Sequence, residues 1–156
     1  MQINYTTYDV RHDGDTINPR VSPDIMVKSP ETGQGAQPYW YVCVIGIFHA
    51  YITSTHLDVG GETLHSMDFL WVCWFGMEPD HSHGFHHPHL PKIGFVKSLD
   101  YYAFTFLDPT QVVRGVHIIP AFSARCTSDL LPATKTVARI LNSDEDEDWV
   151  NFYVNM

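Results

Sequence analysis

Cysteine, basic charge and long apolar runs are all scarce in this sequence, and each scarcity removes a class of protein. The three cysteines, Cys43, Cys73 and Cys126, are odd in number, far apart and form no CxxC pair. A disulfide framework is excluded on that count, and a reducing compartment fits. Nine Lys and Arg residues lie scattered singly against 18 Asp and Glu, for a formal charge of −9. Phosphate contacts dominate nucleic-acid affinity and need a basic stripe, so no direct nucleic-acid grip is expected from this segment. The apolar stretch 39–52 falls short of the roughly 20 residues that a helix needs to cross a bilayer. The polar start after Met1, QINYTTYDVRHDGD, lacks the basic head and apolar middle of a secretory signal. An intracellular setting away from membranes is expected, with the nucleus as one such place.

What the chain does have is a series of aromatic-rich apolar strands with no long helical pattern between them. They are PYWYVCVIGIFHAYI (38–52), MDFLWVCWFG (67–76), KIGFV (92–96), VVRGVHIIPAF (112–122) and DWVNFYV (148–154). In the first, Trp40, Val42, Val44, Phe48 and Ile52 alternate with Tyr41, Cys43, Ile45, Ile47 and Tyr51, and both sets are apolar. A central strand covered on both sides, or one coiled in a barrel, reads this way. Gly46 marks a bend or bulge within it. DPTQVV (108–113) places an Asp at a cap position and a Pro in the first turn, a start signal for a single helical turn. Residues 1–38 read as an irregular arm with short strands at 4–10 and 24–28, and 39–156 as one β domain. The fold expected is all-β: a small, partly open β-barrel of five to seven strands, with the architecture of chromatin-reader barrels of the Tudor or bromo-adjacent type. Architecture of that kind licenses no function by itself.

Two groups of residues could carry binding chemistry. His81, His83, His86, His87 and His89 lie within nine residues, and imidazoles suit zinc or another transition metal. Structural zinc sites usually draw four ligands from two separated pairs, often with thiolates, so the plainer reading is an exposed polar loop without a cofactor. The alternative is a metal-binding protein or metal-dependent enzyme built on this loop. The second group is aromatic: rings on neighbouring strands can form a cage for a methylated lysine, aided by an acid. Tyr39, Tyr41, Trp74 and Asp68 are the candidates, with Trp74 and Tyr39 placed for exposure near strand ends. Trp40, Trp71 and Phe75 are expected in the core. No GxSxG elbow, phosphate-binding glycine loop or complete calcium loop occurs, so no catalytic residue is assigned.

Taken together, NYTTYDVRHDGDTINPR, DFLWVCWFG, FLDPTQVVRGVHIIPAF and the closing WVNFYVNM resemble a domain near the C-terminus of transposon-derived proteins of basidiomycete fungi. These are the Plavaka-type elements of the Kyakuja–Dileera–Zisupton superfamily. A more distant similarity of layout links the chain to the domain that follows the transposase in plant CACTA-type elements. The resemblance carries no defined activity. It implies that the acids of strand transfer belong to an upstream region, and that this chain is a non-catalytic accessory module or an orphan fragment of a decayed element; the function expected is an interaction module for a protein or chromatin partner. The chain departs from its relatives, which usually continue past the VNM segment, in ending on it at Met156. It also carries Cys73 where they tend to have Arg, and an unusual histidine loop.

Overall fold

The computed structural model of the chain describes residues 1–6, 12–33, 35–56, 61–82, 89–127 and 148–155. In chain order its strands are β1 (Gln2–Thr6), β2 (His12–Thr16), β3 (Asp24–Lys28), β4 (Tyr39–His56), β5 (Gly61–Met77) and β6 (Lys92–Phe95). They continue with β7 (Phe104–Leu107), β8 (Val112–Gly115), β9 (His117–Pro120), β10 (Cys126–Thr127), β11 (Asp148–Trp149) and β12 (Phe152–Asn155). Among the described residues there is no α-helix, and the all-β expectation holds. The expected single turn is a 3-10 turn, Pro109–Gln111, capped by the Asp108 carboxylate, which accepts from Thr110 N at 2.8 Å.

Eight strands form one antiparallel sheet in the order β8–β3–β4–β5–β6–β12–β9, and β7 pairs β5 beside β6. No ladder joins its two ends among the described residues, so a closed barrel is not formed by hydrogen bonding. Segment 24–28, expected within an arm outside the domain, is an internal strand of this sheet, flanked by β4 and β8. The reason is its apolar Ile25, Met26 and Val27, all buried, two on one face and one on the other. Residues 12–16, lying between the short strands expected at 4–10 and 24–28, are themselves a strand that pairs with β1.

Both faces of the sheet are packed. On one, Ile25, Val27, Val42, Val44, Leu70, Val72, Leu107 and Val112 form a core with Ile17, and Met1 and Ile3 lie against it. The β1–β2 hairpin is tied down over that face. The Met1 amine donates to Ile17 O at 3.0 Å, Ile17 N to Met1 O at 2.7 Å, and Gly115 N to Asp15 Oδ2 at 2.8 Å. On the other face, Met26, Tyr41, Cys43, Phe75, Ile93, Phe152 and Val154 come together from five strands. Each fully buried aliphatic side chain in such a core contributes about 1.5–3 kcal/mol.

Gly46 does mark a bulge: Val44 faces Val72 and Gly46 faces Trp71, which leaves Ile45 with no opposite residue. One extra residue inverts the alternation beyond it. Ile47 therefore shares a face with Leu70, while Phe48 sits opposite Phe69 and stacks on it at 5.4 Å. The grouping of Phe48 with Val42 and Val44 is thus corrected by the bulge. Beyond Ile47 and Leu70, β4 and β5 pair only with each other among the described residues, and the ribbon exposes Tyr51 and Leu64.

Candidate binding cleft

The site begins with two tryptophans on neighbouring strands. Val42 faces Trp74 across the β4–β5 ladder, so Trp40 and Trp74 fall on the same face two residues apart in register. Their rings meet edge to face, with centroids 5.5 Å apart and planes at 88°. Each indole N–H is tied to an acceptor within the chain. Trp40 Nε1 donates to Glu31 Oε1 at 3.3 Å, and Trp74 Nε1 donates to Thr105 Oγ1 at 2.6 Å. These bonds fix the ring orientations, and the parts of the half-buried rings not covered by each other or by the core border the cleft.

Trp74 sits where β5 changes partner. Its N–H donates to Ala103 O at 2.9 Å, and its carbonyl accepts from Val96 N at 3.0 Å. The backbone segments 96–97 and 100–103 are thereby drawn to the same spot. The turn carrying Asp100 and Tyr102 is held by its own bonds: Tyr102 N to Asp100 Oδ1 at 2.9 Å, Ala103 N to Asp100 O at 3.1 Å and Asp100 N to Lys97 O at 2.8 Å. A cleft of about 600 Å³ results. Trp40, Trp74 and Tyr102 line it with the carboxylates of Glu31 and Asp100, and no Lys or Arg is among its described lining residues. Tyr102 remains 72% exposed. A second cleft, about 900 Å³, shares the indole pair and is lined by Lys28, with no acid among its described lining residues.

Of the residues singled out in the sequence, Trp74 and Tyr41 line the acidic cleft, although Tyr41 is otherwise buried in the core. Its burial, with Tyr39 nearby, raises the phenol above its ordinary pKa. Tyr39 is half-buried against the core and lines neither cleft. Asp68 is far from the site in register, on the projecting ribbon, where it pairs with His49 across the strands. It therefore supplies no acid to the rings; Glu31 and Asp100 do. Trp40, expected in the core with Trp71 and Phe75, is half-buried and forms a wall of the cleft. Phe75 is in the core, and Trp71 is half-buried between Phe104 and Phe106. The sequence signal for Tyr102 is DYY (100–102), an acid beside two tyrosines outside any apolar strand. Glu31 carries no such signal, because only the fold brings its loop to Trp40.

In the histidine loop, His83, His86 and His87 lie outside the described residues. His81 Nε2 donates to Leu90 O at 3.0 Å, and the rings of His81 and His89 are 6.0 Å apart. Among the described residues no three His, Cys, Asp or Glu side chains converge as a metal site would require.

A second polar group is enclosed beneath the sheet. Asp24, Cys43 and Cys73 are successive neighbours across β3, β4 and β5, and Asp148 is buried as well. Burial pushes the Asp24 carboxyl up to about 7, and a hydrogen bond with the Cys43 thiol offsets part of that. Burial, with Asp24 beside it, holds the Cys43 thiol well above its ordinary value, and burial with the Asp148 charge takes Cys73 up to about 12. Neither sulfur is a thiolate near neutral pH, so neither is an activated nucleophile. Among the described residues no helix is long and apolar enough to cross a membrane. No family model matches this chain, and no curated protein or solved structure matches it either.

Proposed function

We propose that this chain is a non-catalytic interaction module of a transposon-derived fungal protein, and that it engages a basic segment of a protein or chromatin partner. The observation that carries this reading is the cleft at Trp40 and Trp74: aromatic walls and two carboxylates, with no basic residue among its described lining residues. Such a lining attracts positive charge and excludes anionic ligands, in keeping with the formal charge of −9. Among its described lining residues there is no histidine or cysteine. The transposon-derived origin rests on the sequence blocks named above, of which DFLWVCWFG supplies Trp74 itself.

The scaffold belongs to the same proposal. β8 and β9, at the two ends of the strand order, are separated in the chain by Val116 alone. The second core gathers side chains from β3, β4, β5, β6 and β12, and Val113, Val116 and Ile118 pack against it. We read this as a sheet curled into a partly open barrel whose interior is that core and whose outer face is covered by the β1–β2 hairpin. The test of function is a titration of the full chain with short lysine-rich, neutral and glutamate-rich peptides, followed by indole fluorescence. Saturable binding of the lysine-rich peptide, weakening as salt screens it, is expected. Equal response to the glutamate-rich peptide, or none to any, would remove this reading.

A further inference from the structure

Building on the proposed partner-binding role of the cleft, we propose that it takes a methylated ammonium, the side chain of a trimethyl-lysine in the partner. Four features of the site support this ligand over others. Two indole planes at 88° make a corner, and Tyr102, exposed on its turn, supplies a third ring along the same cleft. Aromatic faces attract cations through their quadrupole, most strongly for indole, and quaternary ammonium groups exploit this most fully. Both indole N–H groups are already bonded to Glu31 and Thr105, so the rings have faces rather than donors to offer.

The second feature is the state of the carboxylates. Glu31 Oε1 accepts from Trp40 Nε1, its Oε2 accepts from Gln37 N at 3.0 Å, and Asp100 Oδ1 accepts from Tyr102 N. Three of the four acid oxygens thus have a donor within the chain. An unmodified ammonium is strongly hydrated and needs acceptors to replace the water it loses. A trimethylated one has no N–H to satisfy and sheds water more readily, while its charge still feels Glu31 and Asp100. Third, the two clefts that share the indole pair differ in sign, since Lys28 lines the other. A cation is therefore drawn to the Glu31–Asp100 side. Fourth, Tyr102, which lines the cleft, is mostly uncovered, so a side chain presented by a peptide can reach this ring from solvent.

The experiment uses the full chain and three versions of one short peptide, with trimethyl-lysine, with unmodified lysine, and with the neutral tert-butyl isostere at the same position. Indole N–H resonances and fluorescence report binding at Trp40 and Trp74. The trimethyl form is expected to bind about tenfold or more tightly than either of the others. Tyr102→Ala, at an exposed ring whose loss leaves the core untouched, is expected to remove most of that preference, and Glu31→Gln to weaken it several-fold with the Trp40 hydrogen bond retained. If the neutral isostere binds as tightly, the cleft recognises shape and not charge, and the inference is wrong. Equal binding of unmodified lysine overturns the methylated ligand while the basic-partner role stands. Silence of both indoles with all three peptides overturns both.

Discussion

Trp40, Trp71 and Trp74 stand on adjacent strands, yet their neighbours leave different parts of each ring uncovered. Phe104 and Phe106 flank Trp71 with centroids 6.0 and 4.7 Å away, whereas among the described residues Trp40 and Trp74 have each other as ring partners and border open clefts. Asp24 shows the same dependence on neighbours. Its carboxyl lies beside Cys43 in a strand flanked on both sides, and loss of water raises its pKa to about 7. The folded chain therefore keeps this proton through a range where the unfolded chain has released it. Stability from the neutral form is fully present below the ordinary carboxylate range and is lost as pH rises towards 7. The parent is expected to lose on the order of 2 kcal/mol from this group between pH 5 and pH 8. Asp24→Asn, which cannot ionise, should show a smaller fall in melting temperature over that interval. An identical fall in both proteins would mean that Asp24 is not the group concerned.

At the scale of elements, two glycines set where strands bend and how closely they approach. A Cβ on Gly94 of β6 would lie 2.7 Å from the backbone oxygen of Val150 and 3.2 Å from Asn151 Nδ2. Asn151 is itself buried and donates to Glu78 Oε2 at 2.8 Å, so neither neighbour can yield without disturbing a bond. A Cβ on Gly46 would meet the Phe48 ring at 2.6 Å, but that ring is 48% exposed and free to rotate outwards. Gly94→Ala is therefore expected to cost about 1–3 kcal/mol, and Gly46→Ala clearly less, with the Phe48–Phe69 stack lost instead. Urea denaturation of the two variants measures this, and a larger loss for Gly46→Ala would contradict the packing described. The bulge also explains why alternation was a sound guide to β4 before Ile45 and a misleading one after it: a period of two cannot register an inserted residue.

For the whole molecule, two cores on opposite faces of one sheet share the load, and the aromatic residues are not where most of it rests. Leu70 is fully buried between Ile47 and Leu107 in register, while Trp71, its neighbour, is half-buried on the opposite face. Leu70→Ala should cost about 2–5 kcal/mol, a large share of the stability of a domain this size. Trp71→Ala should cost less, although it removes many more atoms. Thermal melts of both variants decide the order, and the reverse order would place Trp71 back in the core, where its sequence context alone puts it. The β1–β2 hairpin contributes at this scale too, because it covers the Leu70 face through Met1 and Ile3 and is held by the Asp15 bond to Gly115.

The strands at 24–28, 39–52, 67–76 and 92–95, the all-β class, the capped turn at Asp108 and the bulge at Gly46 were legible in the sequence, because each depends on residues adjacent in the chain. β-branched and aromatic side chains favour extended backbone locally, and Asp and Pro set a turn within four residues. The placement of β3 inside the sheet, the half-burial of Trp40 and Trp71, and the meeting of Glu31, Trp40, Trp74, Asp100 and Tyr102 were decided by tertiary structure alone. Those outcomes turn on which strand lies beside which, and on the point where β5 exchanges β7 for β6. Partners separated by dozens of residues set how much water each ring loses, and no local pattern records that separation.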